Sequence, residues 1–159
     1  EIVEVHGGSL RVTFQADGPQ PSNLYDVLLA EDFALREMGR EAFRYKAMMA
    51  QDALATWCQD QRHEENLVVG YGASARGMVL LNTIPDLGMT LASIVDDTKE
   101  KQGLLTAGYG VAIEKPGPWL KGVDAMVALS YPWAPQMLSQ ARAYGFRGPM
   151  YVPFHGELT

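Results

Sequence analysis

The chain has 159 residues, of which 47% are hydrophobic and 20% charged, so it can bury one substantial core and has an ordinary globular composition. Lys and Arg number 13 against 19 Asp and Glu, and the resulting net charge of −6 argues against nonspecific binding to nucleic acid or to an anionic membrane. The sequence lacks an apolar run of the roughly 18 residues that favour a membrane span. The single cysteine, Cys58, excludes a disulfide within the chain and favours a cytoplasmic location. The chain starts at Glu1 without a methionine, which suggests a fragment of something larger.

The first 21 residues are predicted to be a short β segment followed by a loop. Residues 1–16 contain alternating apolar positions typical of one or two strands. Residues 17–21 combine Asp, Gly and two prolines, a composition that interrupts regular structure.

Residues 22–64 are predicted to form a helical hairpin. The predicted helices run from Ser22 or Asn23 to about Ala30 and from about Leu35 to Arg62. In the second helix the apolar residues recur at spacings of three and four, as on one face of a helix. Gly39 lies inside this helix and costs about 1 kcal/mol relative to alanine, which weakens the prediction of its first turn.

Residues 65–159 are predicted to form a Rossmann-like α/β domain with a mostly parallel sheet. Short apolar runs alternate there with helical segments, the pattern of an open parallel sheet. The predicted strands are 67–69, 91–95, 110–113, 125–129 and 150–152, and the predicted helices are 75–83 and 134–144. Four prolines, Pro85, Pro116, Pro118 and Pro132, are expected to lie between these elements.

A glycine-rich turn after the first of these strands is the most informative motif. We expect Gly70 to allow a tight turn, Gly72 to let the backbone approach a phosphate, and Ala75 to let the following helix pack closely on the strand. Ser74 and Arg76 add a hydroxyl and a guanidinium, which suit a phosphate or diphosphate at a helix N-terminus. The alternative is a βα turn without a ligand, in which Arg76 is exposed or paired with a carboxylate.

An acidic pair, Asp96 and Asp97, follows the second strand about twenty residues after the glycine turn, where dinucleotide-binding domains contact a ribose hydroxyl. Lys101, in the same loop, could provide a further cation. The alternative is a solvated acidic turn followed by a surface lysine.

Aromatic residues follow a later strand of the sheet. Tyr131 and Trp133 come after the strand predicted at 125–129, at the edge where α/β sheets bind ligands, and either ring could stack on a nucleobase. Trp133 could instead pack its helix against the sheet. His155, after the last predicted strand, is a possible polar contact or an exposed loop residue.

The sequence contains no recognisable catalytic acid, base or nucleophile set and no metal-ligand spacing, so no metal is expected.

The ordered series of motifs resembles the C-terminal domain of S-adenosylmethionine-dependent sugar C-methyltransferases. The residues that carry this resemblance are Val68 to Gly77 (V-V-G-Y-G-A-S-A-R-G), Leu80-Leu81-Asn82, Asp96, Lys101-Gln102-Gly103, Pro132-Trp133 and Val152-Pro153, together with His6 to Arg11, which is similar to the end of the family's central domain. Ser74 stands where the family often has a proline, which leaves the identity of the substrate open.

The resemblance implies a role within a larger enzyme. Members of the family are similar in having a zinc-binding N-terminal region, a central S-adenosylmethionine-binding domain and this C-terminal domain, which is thought to hold a nucleotide-linked sugar. Residues 1–21 would then be the tail of the preceding methyltransferase domain, the partner of this one. The chain would carry no cofactor and no catalytic residue, and S-adenosylmethionine would belong to the preceding domain.

The resemblance also assigns roles to the candidate residues. A hydroxyl of the ligand would be bound by Asp96, and its base would stack on Tyr131 or Trp133. The residues that would hold the diphosphate are Gly70, Gly72, Ser74, Ala75 and Arg76, with Lys101 nearby.

Two alternatives predict different behaviour. An NAD(P)-binding oxidoreductase fragment would bind a nicotinamide cofactor, with Asp96 favouring NAD over NADP. A non-enzymatic interaction module would associate through the helices of residues 22–62 without binding a nucleotide.

Overall fold

The computed structural model describes residues 2–3, 9–10 and 23–159, which belong to two compact units divided after Met48. In the first unit, strand β1 (Ile2–Val3) pairs antiparallel with strand β2 (Ser9–Leu10). This pair agrees with the predicted β segment, and the loop predicted at residues 17–21 lies outside the described residues.

Helix α1 (Asn23–His63) contains one break, at Gly39, where φ is 57° and ψ is 149°. The break between the two predicted helices was expected between residues 30 and 35. That prediction is wrong, because the break lies at Gly39. Residues 30–35 contain neither glycine nor proline, whereas Gly39 adopts a positive φ without the steric penalty that a side chain would bring. The last turns of α1 belong to the second unit, where Leu54, Trp57 and Cys58 are buried.

A six-stranded sheet forms the centre of the second unit. Its strands are β3 (Val68–Tyr71), β4 (Leu91–Val95), β5 (Ile113–Glu114), β6 (Ala125–Ala128), β7 (Met150–Val152) and β8 (Gly156–Leu158). They are arranged in the order β5-β4-β3-β6-β7-β8, and every pair is parallel except β7 with β8. The prediction of a Rossmann-like, mostly parallel sheet is confirmed.

Helices cover both faces of this sheet. They are α2 (Ala75–Thr83), α3 (Pro85–Thr90) and α4 (Ala134–Ala143), with 3-10 turns at Pro118–Gly122 and Tyr131–Trp133. Val68 of β3 packs into one core cluster with Leu54, Leu81 and Leu87, while Val69 packs into a second cluster on the other face. Because both faces of the sheet are buried, the sequences of its strands are continuous apolar runs rather than alternating ones.

Three elements differ from the sequence prediction. Helix α3 was not predicted because Pro85 was expected between elements, but proline is well tolerated in the first turn of a helix, where the missing N–H has no intrahelical acceptor. Strand β8 was also missed, and β5 is shorter and begins later than the predicted 110–113. Within the described ranges, none of the helices has the length and apolar character needed to cross a membrane.

Candidate functional site at the carboxyl edge of the sheet

The candidate site lies where the loops that follow β3 and β6 meet. These strands are parallel neighbours, and the strand order reverses between them, which is the position where open α/β sheets bind ligands. The Leu129 N–H donates to the Tyr71 carbonyl oxygen at 2.9 Å, and the Ser74 hydroxyl donates to the Leu129 carbonyl oxygen at 3.2 Å. The two loops therefore form one hydrogen-bonded unit.

The tight turn expected at Gly70 lies two residues later. Gly70 is inside β3, and a Cβ atom there would lie 2.8 Å from Leu129 Cδ1, so its missing side chain serves close packing of the sheet. Gly72 forms the turn with a φ of +90°, and a Cβ atom there would lie 2.5 Å from Ser130 Oγ. The second glycine thus lets the loop turn and lets the two loops approach each other.

Close packing of the helix on the strand, expected at Ala75, depends instead on Gly77. Ala75 is exposed, whereas a Cβ atom on Gly77 would lie 2.7 Å from Leu129 Cβ. Ser74 is the N-cap of α2, and its Oγ accepts a hydrogen bond from the Gly77 N–H at 3.1 Å. The serine at this position therefore fixes the start of α2.

Asp96 and Lys101 bind the glycine loop to the end of β4. The Asp96 carboxylate is buried and accepts hydrogen bonds from the Ala73 N–H at 2.7 Å, the Thr98 N–H at 2.8 Å and Lys101 Nζ at 3.1 Å. Lys101 Nζ also donates to the Ala73 carbonyl oxygen at 2.9 Å. We call Ala73, Asp96 and Lys101 the loop clamp.

The loop clamp keeps Asp96 ionised. Burial alone would raise the pKa of this carboxyl group, but the hydrogen bonds from Thr98, Lys101 and Ala73 favour the charged form and bring the pKa below its usual value. Both carboxylate oxygens are occupied by donors of the protein itself.

Tyr71 is a buried polar residue of the site that the sequence analysis did not single out. Its hydroxyl lies 3.0 Å from Gln140 Oε1 and 3.2 Å from Asp97 Oδ2. Burial, with the charge of Asp97, raises the pKa of Tyr71, so the phenol stays neutral and can donate a hydrogen bond. A tyrosine that ends an apolar strand just before a glycine turn is the sequence signal that could have identified it.

Arg76, Tyr131 and Phe154 form a second group at this edge, the aromatic–arginine cluster. Arg76 Cζ lies 6.0 Å from the centroid of the Tyr131 ring. The Tyr131 and Phe154 rings meet edge to face, with centroids 5.5 Å apart and planes at 70°. Arg76 and Phe154 are exposed, and no ion pair to Arg76 is found among the side chains that the structure describes.

The remaining candidates lie close to this cluster in sequence. Trp133 ends the 3-10 turn Tyr131–Trp133 and is 46% exposed, and His155 is exposed in the turn between β7 and β8. Phe154 was not predicted as a site residue.

Among the described side chains, the lone cysteine and the metal-ligating residues offer no further site. Burial raises the pKa of Cys58 to about 11, so its thiol remains protonated at neutral pH. In the part of the chain whose side chains the structure describes, no three His, Cys, Asp or Glu side chains are grouped as a metal site requires.

A comparison with protein families identifies the kind of domain that carries this site. A family model described as the C-methyltransferase C-terminal domain matches residues 4–153. The chain belongs to this family. The resemblance noted from the motifs is confirmed, and a search of curated proteins finds no match.

In this C-methyltransferase C-terminal domain, the structure brings only some of the predicted residues to one surface. Where the loops after β3 and β6 join, Gly72 lies against Ser130, Ser74 donates a hydrogen bond to Leu129, and Arg76 lies near the ring of Tyr131. Asp96 and Lys101 support the glycine loop through the loop clamp. Gly70 lies within the sheet rather than in the loop.

Proposed function

We propose that this C-methyltransferase C-terminal domain holds a nucleotide-linked sugar, or a similar acceptor, for methyl transfer in a preceding S-adenosylmethionine-binding domain. The observation that carries the proposal is the exposed Arg76 guanidinium in the first turn of α2, beside Tyr131, at the point where the strand order reverses. Ligands of open α/β sheets bind at this position.

The chemistry of the first turn of α2 suits a diphosphate. The N–H groups of Ala75 and Arg76 precede the first intrahelical hydrogen bond, so they can donate to an anion. A guanidinium can bind two phosphate oxygens at once. The helix dipole disfavours a cation at this end of α2, and a bound diphosphate would offset that repulsion.

We assign Asp96 and Lys101 a supporting part in this site. From the sequence, Asp96 was expected to bind a ribose hydroxyl and Lys101 to provide a further cation, but the contacts of both side chains support a role in holding the glycine loop in shape. The same contacts argue against the NAD(P)-binding alternative, which needs the carboxylate of Asp96 for a ribose hydroxyl.

The methyl transfer itself would take place outside this chain. We propose that S-adenosylmethionine and the reacting groups belong to the preceding domain, and that this domain positions the acceptor carbon. Large apolar side chains of α1, including Phe33, Phe43 and Tyr45, are more than 60% exposed and support contact with that partner. A cytoplasmic location is inferred from the lone Cys58.

Replacement of Arg76 by alanine tests the diphosphate contact. We expect Arg76→Ala to weaken the binding of thymidine diphosphate glucose or uridine diphosphate glucose about tenfold or more, because a charge-assisted hydrogen bond contributes about 1.5–3 kcal/mol. The measurement is isothermal titration calorimetry on the whole chain, with NAD as a second ligand.

Arg147→Ala is the matched control. Arg147 is an exposed arginine just before β7, at the opposite edge of the parallel strands, so its loss should leave the affinity unchanged. A folded Arg76→Ala variant with wild-type affinity would remove Arg76 from the site. Binding of NAD without binding of either nucleotide sugar would favour the oxidoreductase alternative.

A further inference from the structure

Phe154 occupies a backbone conformation that suits glycine better than phenylalanine. Its φ is 73°, and it lies between Pro153 and His155 in the turn that joins β7 to β8. The His155 N–H donates to the Val152 carbonyl oxygen at 2.9 Å, and Pro153 takes the second position, as in a type II turn. The third position of such a turn favours glycine or asparagine, so a phenylalanine there is strained.

The strained residue does not compensate by burying its ring. Phe154 is 53% exposed, and the aromatic contact found for it in the described part of the chain is the edge-to-face contact with Tyr131. A large apolar side chain that is both strained and half in solvent adds little to folding. Residues held in such conformations cluster at ligand-binding positions.

This surface offers the two kinds of group that a nucleoside diphosphate requires, a cation and an exposed aromatic ring. Tyr131 packs against both core clusters and contacts Arg76 and Phe154, so one partly buried ring holds both groups at the same edge of the sheet. A nucleoside diphosphate carries a diphosphate and a planar base on the two sides of one ribose. A base stacks readily on an exposed aromatic ring, and this stacking depends little on the identity of the base.

We propose that Phe154 stacks on the nucleobase of the bound nucleotide, and that Tyr131 positions Phe154 and Arg76 without stacking on the base itself. This inference rests on the proposed function and assigns the base contact, previously expected for Tyr131 or Trp133, to a residue of the β7–β8 turn. The strain at Phe154 is the cost of presenting its ring at the edge of the site.

Three variants of Phe154 separate its ring from its backbone. Phe154→Gly removes both the ring and the strain, Phe154→Leu keeps the strain and an apolar side chain without a ring, and Phe154→Trp keeps an aromatic ring. Calorimetry with thymidine diphosphate glucose measures the base contact, and calorimetry with inorganic pyrophosphate measures the diphosphate contact alone. The midpoint of thermal unfolding reports the stability of each variant.

We expect Phe154→Gly and Phe154→Leu to bind thymidine diphosphate glucose about tenfold more weakly than the wild type, because a base–aromatic stack is lost. Both variants should bind pyrophosphate as the wild type does, and Phe154→Trp should retain the affinity for the nucleotide sugar. Phe154→Gly should unfold at the wild-type temperature or above it, because glycine adopts a positive φ without strain.

The possible contradictions are distinguishable from a failure of the proposed function. If the wild type binds thymidine diphosphate glucose and Phe154→Gly binds it equally well, the base contact is refuted and the proposed function stands. A lower unfolding temperature of Phe154→Gly with unchanged affinity would assign Phe154 a structural role instead. If the wild type binds neither ligand, the proposed function fails and this inference fails with it.

Discussion

The loop clamp and the aromatic–arginine cluster lie at the same edge of the sheet, and they use their charged groups in opposite ways. Asp96 is 6% exposed and accepts three hydrogen bonds from the protein. Arg76 is exposed and contacts the ring of Tyr131. Both residues belong to the sequence pattern of a nucleotide site, yet only Arg76 presents its charge to solvent.

A charged residue beside a glycine loop can therefore have either of two tasks. A carboxylate whose oxygens are occupied by backbone N–H groups and a lysine stabilises the loop, whereas an exposed guanidinium can contact a ligand. Changes in the loop clamp should therefore alter stability first, and changes in the aromatic–arginine cluster should alter affinity first. The following predictions concern the stability of the loop clamp and of the adjoining start of α2, from the largest expected change in stability to the smallest.

Removal of the Asp96 carboxylate should have the largest effect on stability. We expect Asp96→Ala to lower the free energy of unfolding by about 3 kcal/mol, because the buried Ala73 N–H loses its acceptor and Lys101 loses its partner. Urea unfolding measures the change. The control is Asp60→Ala, at an exposed position on α1, which should stay within about 0.5 kcal/mol of the wild type.

The contribution of Asp96 should also depend on pH. Because the pKa of Asp96 is lower in the folded protein than in the unfolded chain, its stabilisation is present above the unfolded pKa of about 3.9 and is lost as the pH falls through the folded value. The difference in unfolding free energy between the wild type and Asp96→Ala should therefore shrink in acid. A difference that stays constant between neutral and acidic pH would contradict the assignment of the charge to the loop clamp.

Gly77→Ala should have an intermediate effect, a loss of about 2 kcal/mol, because the added Cβ atom would lie 2.7 Å from Leu129 Cβ and force α2 away from the sheet. The matched control is Gly122→Ala, since a Cβ atom at Gly122 has nothing within 4 Å apart from the adjacent backbone of its own turn. Thermal unfolding distinguishes the two variants. Equal stability of both would show that α2 does not depend on this close approach.

Ser74→Ala should have the smallest of these effects, about 1 kcal/mol, because the Gly77 N–H loses the hydroxyl that caps it. Ser74→Thr serves as the comparison, since threonine keeps a hydroxyl that can cap α2 and donate to the Leu129 carbonyl oxygen, and it should retain most of the stability. Chemical denaturation measures both. Stability of Ser74→Ala equal to that of the wild type would show that the cap does not fix the start of α2.

Much of the fold was predictable because local sequence and tertiary structure agree there. The apolar runs of β3, β4, β6 and β7 each have a glycine, proline or acidic residue next to at least one end, and α2 begins and ends at the predicted residues. Helix α3 follows directly after α2 and begins with a proline, so the local sequence predicts a loop at its position. Strand β8 has three residues and depends on pairing with β7, which the local sequence does not indicate.

The candidate site was predictable in its position and less so in the tasks of its residues. The glycine motif located the edge of the sheet, but the assignment of the turn to Gly72 instead of Gly70 requires the end of β3 to be known. The hydrogen bonds of Asp96 depend on the geometry of the glycine loop. Pro153 is the sequence signal for the turn at Phe154. The contact of Phe154 with Tyr131 joins two separate segments of the chain, so the local sequence does not indicate it.

NMR titration of the ¹⁵N-labelled chain with thymidine diphosphate glucose shows whether the carboxyl edge between β3 and β6 holds a nucleotide-linked sugar. We expect saturable shifts of the backbone amides of residues 72–78, 130, 131, 133, 154 and 155, with little change at residues 147 and 148 on the opposite edge. Shifts confined to the opposite edge or to α1, or no shifts at saturating ligand, would contradict this expectation.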